Sequence, residues 1–172
     1  MNRLALIVFY IALSGIAICN AISAESLNQT PTVRPELDSL GREIVKAKCQ
    51  NPKHIAIKRV QNRIESTITD EIQTISCPKA KIEIYKAYYF SPPNELPLNL
   101  VINKPHPKML KQLSIGASPD SIRSKLGLPL WADNDNLVYQ LNEEGPSENT
   151  ITFTFVRGKV SSITWDWSGE IY

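Results

Sequence analysis

The chain holds few residues able to do chemistry, and their spacing argues against a catalytic site. It has two histidines and three cysteines among 172 residues. His106 stands between Pro105 and Pro107, which hold the backbone extended, and no serine or cysteine near it has the look of an activated nucleophile. It reads as a loop histidine without a catalytic role, and His54, just after Pro52, reads as a surface residue at a helix start. Asp133, Asp135 and Glu144 have the first, third and twelfth spacing of a calcium loop. Leu137 then takes the fifth position, where an oxygen ligand belongs, and Val138 the sixth, where glycine makes the turn. Gly116 and Gly127 are not followed by the lysine-serine pair of a nucleotide loop, and Cys77-Pro78 lacks a second cysteine three residues away. The expectation is a protein that is not an enzyme, with no catalytic, cofactor-binding or metal-binding residue.

The cysteines belong to a different kind of chemistry. Residues 1 to 24 have Arg3, an apolar run from Leu4 to Ile18 and small residues at Ala21 and Ala24, the layout of a secretory signal cleaved near Ala24. A retained anchoring helix is the competing reading, since the run is nearly long enough to span a bilayer. Export places Cys49 and Cys77 in an oxidising compartment, where a disulfide is their simplest pairing and two buried free thiols the alternative. The expected location is periplasmic or secreted. One of the 19 basic residues and none of the 17 acidic ones fall in the signal, so the remainder is close to neutral and carries no electrostatic footprint for nucleic acid.

The elements that must position these residues follow from local pattern. Residues 25–35 lack periodicity and read as a flexible leader. Residues 36–172 read as a single α+β domain, with a helix and hairpin region over 36–112 and a helix with three strands over 113–172. Leu37, Leu40, Ile44 and Ala47 predict a helix over Pro35 to Lys48. The stretch Ile57 to Ile75 is ambiguous, with isoleucines at helical steps and threonines that favour strand, so its first part is assigned as helix and Glu71 to Cys77 as a strand pairing with Lys81 to Tyr89. Leu96 to Ile102 alternates as an edge or near-edge strand that tolerates Pro97.

The last third is the most fully punctuated. Ser118 is placed to cap a helix, with Pro119 at its first position, Asp120 at the positive end of its dipole and Gly127 to close it. Leu137 to Leu141, then Ile151, Phe153 and Phe155 alternating with threonines, predict strands. The returning strand carries Ile163, Trp165 and Trp167 on one face. A two-residue turn at Arg157 and Gly158 would set them opposite the wrong partners, so either the loop is Val156 to Gly158 or a bulge sits at Ser161 and Ser162. The three-residue loop is the expected arrangement.

The order Leu113, Gly116, Ser118, Ile122, Leu126, Gly127, Pro129, Tyr139, Phe153, Phe155, Gly158, Lys159, Val160 resembles the BamE-like (SmpA/OmlA) envelope domain and the repeat of β-lactamase inhibitor protein. The resemblance implies an antiparallel sheet packed against one or two helices, working as a protein-binding module without catalysis. It departs from BamE in having Ile18 before Cys19, which a lipoprotein signal does not normally place there, so no lipid anchor is expected. Trp131, Tyr139, Trp165 and Trp167 form the candidate interface, with ordinary core as the simpler reading. The functional expectation is a non-catalytic protein-binding or scaffold module of a bacterial-type cell envelope, its partner another envelope protein. An inhibitor of a secreted or periplasmic enzyme is the alternative, and a hydrolase the third.

Overall fold

The computed structural model describes residues 33–49, 51–142 and 149–171. Its elements are α1 (Pro35–Ala47), β1 (His54–Gln61), β2 (Thr69–Ser76), β3 (Ala80–Ala87), β4 (Asn94–Ile102), α2 (Pro119–Leu126), β5 (Trp131–Ala132), β6 (Asn136–Gln140), β7 (Thr150–Val156) and β8 (Lys159–Asp166). The strands form one sheet in the order β1-β2-β3-β4-β8-β7-β6-β5, and every neighbouring pair is antiparallel. Two meanders are thus joined where β4 meets β8, giving the α+β class.

Both helices cover the same face. Alternation puts Ile82, Leu100, Ile102, Ile163, Trp165, Ile151, Phe153, Leu137 and Tyr139 on that face, where they are buried with Leu37 and Ile44 of α1 and Ile122 and Leu126 of α2. Helix α1 seats on Trp165 of β8 and on Trp167 just past the end of that strand. Trp165 Nε1 donates to the Leu37 carbonyl at 2.9 Å, and Trp167 Nε1 to Asp38 Oδ1 at 2.6 Å. Only a glycine fits between them, since a Cβ on Gly41 would lie 2.6 Å from Trp165 Cδ1. The other face carries Thr152, Thr154 and Thr164 in a polar stretch and a smaller apolar cluster of Tyr85, Ala87 and Leu98.

Helix α2 has the expected ends. Ser118 Oγ accepts from the Ser121 N–H at 3.2 Å, Pro119 opens the helix, and Gly127 closes it at φ 73°. The Arg34 guanidinium donates to the Leu126 carbonyl, tying the start of α1 to the end of α2.

Three expectations are corrected. The first part of Ile57 to Ile75 is a strand, not a helix, and β1 begins at His54, which therefore opens a strand. The chain reverses because Asn62 Oδ1 accepts from the Ile64 and Glu65 N–H groups, each at 2.8 Å, and that side-chain turn overrides the helical spacing of the isoleucines. Leu96 to Ile102 lies in the central strand β4, not at an edge. Pro97 is tolerated because β8 pairs only with Asn99–Ile102 and because a register shift on the β3 side falls beside it. The last hairpin has a two-residue turn, not three. Arg157 and Gly158 stand at φ 53° and 70°, both left-handed as a tight hairpin requires, and Ser161 is the extra residue of a bulge between Thr154↔Ser162 and Phe155↔Val160. The signal segment, Cys19 and Glu144 lie outside the described residues.

Candidate interaction surface

The four aromatic candidates separate. Tyr139, Trp165 and Trp167 are fully buried on the helix-covered face, so they belong to the core and not to an interface. Tyr139 donates its hydroxyl to the Gly127 carbonyl at 3.2 Å and packs edge-on to Phe153, and burial raises its pKa. Trp131 is 53% exposed, on β5 opposite Val138. The strand pattern correctly placed Trp165 of β8 and Trp167, just past the strand's end, on one face. It could not say that α1 covers that face.

The two edges of the sheet differ, and the difference locates the more open surface. At the β6 side the backbone is occupied. Trp131–Ala132 pairs with Leu137 and Val138, Leu130 N–H donates to the Val138 carbonyl at 2.8 Å, and Arg34 N–H donates to the Gln140 carbonyl at 2.9 Å. At the other side β1 pairs with β2 over its full eight residues and with nothing else among the described residues.

Which backbone groups of β1 face outward follows from the end of its ladder. The Asn62 N–H donates to the Ile68 carbonyl at 3.0 Å, which makes that an inward-bonding position. Bonding alternates along an antiparallel pair, so Val60, Lys58 and Ala56 also bond to β2, while Arg59, Ile57 and Ile55 turn their N–H and C=O groups to solvent. Those residues share the helix-side face, beyond the reach of α1. Ile55 is 46% and Ile57 56% exposed. Lys53 and Arg59 are exposed to either side of them along the chain and Lys58 is exposed on the opposite face, giving the edge an apolar strip with cations around it.

One end of this edge continues into two loops held together by a buried carboxylate. Asp70 accepts from Asn62 Nδ2 at 2.7 Å, from the Tyr88 N–H at 2.8 Å and from the Tyr85 hydroxyl. Burial first, and then the hydrogen bond to Asp70, push the Tyr85 phenol up to about 12. Asn62 in turn fixes the β1–β2 loop and Tyr88 starts the β3–β4 loop, so the exposed side chains of Ile64, Tyr88, Tyr89 and Phe90 are presented by linked segments. Sequence reasoning missed this cluster. The signal was the run Tyr88-Tyr89-Phe90 at a strand end.

The remaining candidates have structural employment. The Cys49–Cys77 disulfide is formed, with Cα atoms 5.8 Å apart, and joins the chain just after α1 to the end of β2. Asp133 Oδ1 accepts from the Asp135 and Asn136 N–H groups at 2.7 and 2.6 Å, a turn whose bonds hold its carboxyl below the usual value. No group of metal-ligating side chains stands together among the described residues. No described helix is long and apolar enough to cross a membrane. No family model matches the chain, and neither a curated protein nor a solved structure matches it.

Proposed function

We propose that this protein is a non-catalytic, exported binding module of a bacterial-type cell envelope, which takes an extended segment of another envelope protein as a ninth strand beside β1. The outer edge of β1, unpaired among the described residues, carries the reading. It offers alternate backbone donors and acceptors at Ile55, Ile57 and Arg59, and main-chain pairing of this kind supplies affinity while side-chain contacts supply specificity. Ile55 and Ile57 add an apolar strip to be covered, and the linked loops bearing Tyr88, Tyr89 and Phe90 extend it with aromatic side chains of the type that anchors protein interfaces. The resemblance of the C-terminal third to BamE-like domains supports the same class of function.

Lys58 and Arg59 bear on the partner. Charged side chains on an edge strand oppose pairing between identical copies, because two such edges would bring four cations together. They favour a segment that alternates acidic and apolar residues. Capture from the native envelope tests this with two variants. Ile57→Pro removes an outward N–H and leaves the bonds to β2, so it is expected to lose the partner while keeping the melting temperature within a few degrees, and Lys58→Glu with Arg59→Glu is expected to do the same by charge. Capture undiminished in both variants would exclude the β1 edge.

A further inference from the structure

A second site lies on the helix-side face of the sheet, where the end of α1, the start of β3 and the proline-bounded turn at His106 line an open cavity of about 550 Å³. That volume falls in the range of small-molecule sites, which are mostly apolar with a few placed polar groups. Its walls are Ile44 and Ala47 of α1, Ile82 of β3 and the Cys49–Cys77 bridge. Among the described residues every charged side chain that lines it is a lysine: Lys48, Lys79 and Lys108. Two of these are already paired, Lys48 with Glu95 at 3.0 Å and Lys108 with Glu43 at 3.1 Å, whereas Lys79 makes no ion pair among the described residues. His106 Nδ1 accepts from the Lys108 N–H at 3.3 Å, which leaves Nε2–H as a free donor.

We infer that this cavity binds a small amphiphile with a carboxylate head and an unbranched apolar tail, the tail against Ile44, Ile82 and the disulfide and the head between Lys79 and His106. The apolar wall selects the tail, and the unopposed cation with the imidazole donor selects the head. Burial first, then Lys79 and Lys108, hold the His106 imidazole below its ordinary value, which favours its neutral form. A bound carboxylate would reverse the electrostatic contribution and raise the His106 pKa.

Decanoate, decanol and decyltrimethylammonium, each below its micelle concentration, are the probes, with titration calorimetry and amide shift mapping on the protein as isolated. Decanoate is expected to bind at least tenfold more tightly than either other probe, to shift the amides of Cys49, Lys79, Ile82 and His106, and to raise the His106 pKa. Lys79→Gln is expected to weaken decanoate about tenfold and leave decanol unchanged. Ala47→Trp, at an exposed helix end, fills the cavity and is expected to abolish binding of all three without a change in melting temperature. Equal affinity for decanoate and decanol, shifts confined to another surface, or no binding of decanoate would overturn the inference.

Discussion

Replacing Gly41 with alanine is expected to destabilise the protein, against the direction that helix propensity sets. In a helix interior the change from glycine to alanine gains about 0.8 to 1 kcal/mol. Here the new methyl would stand 2.6 Å from Trp165 Cδ1, 2.7 Å from Trp165 Nε1 and 2.8 Å from Trp167 Cζ2. Both indoles are fully buried and each is tethered to α1 through its N–H, so neither can swing aside. Relief requires α1 to lift. Overpacking of this kind costs about 1 to 3 kcal/mol, and loosening the Trp165 bond to the Leu37 carbonyl leaves a buried donor short by about another 1 to 3 kcal/mol. Set against the propensity gain, the net loss is about 1 to 5 kcal/mol. Urea denaturation followed by tryptophan fluorescence measures it, with Ser39→Ala on the exposed face of α1 as the control expected to stay within about 0.5 kcal/mol of wild type. A Gly41→Ala protein as stable as wild type would mean that α1 does not seat on these tryptophans.

Removing the disulfide as Cys49→Ala with Cys77→Ala frees a loop with a sequence separation of 28 residues and should lower stability by about 3 to 4 kcal/mol on the chain-entropy account; mass measurement of the untreated chain should show two hydrogens fewer than the reduced form. Gly158→Val is expected to cost about 1 kcal/mol or more in thermal or chemical denaturation, because its φ of 70° admits a β-branched residue only with steric strain; unchanged stability would contradict the two-residue turn. Tyr85 holds its proton more tightly when folded, at about 12, than an unfolded tyrosine does at 10.0, so its contribution is complete below pH 10 and is lost as the pH rises towards 12. Asp70→Asn should reduce that alkaline loss, and an identical pH profile in the variant would separate Tyr85 from Asp70.

Where a boundary was fixed by adjacent residues, the sequence disclosed it. Ser118, Pro119 and Gly127 each act within one turn of their own position, and α2 begins and ends where they direct. β1 escaped because Ile57, Val60 and Ile64 follow helical steps while Ile55 and Ile57 alternate as in a strand, and the deciding contact is the Asn62 side chain folding back onto Ile64 and Glu65. The central place of β4 depends on pairing with β8, more than sixty residues later in the chain, a contact that local pattern does not encode. The hairpin was misassigned for a related reason: the register demanded a correction, and the bulge at Ser161 supplied it while Arg157 accepted a left-handed backbone. For the candidate surface, the exposed isoleucines were visible as residues, but their exposure is a consequence of where α1 stops.

Amide hydrogen exchange along β1, with and without a synthetic peptide of alternating glutamate and valine, tests the central claim most directly. Ala56, Lys58 and Val60 are bonded to β2 and should exchange slowly in both states, whereas Ile55, Ile57 and Arg59 should exchange fast alone and become protected with the peptide. A lysine-valine peptide should give no such protection. Ile55, Ile57 and Arg59 remaining fast with the acidic peptide, or becoming equally protected by the basic one, would contradict the account.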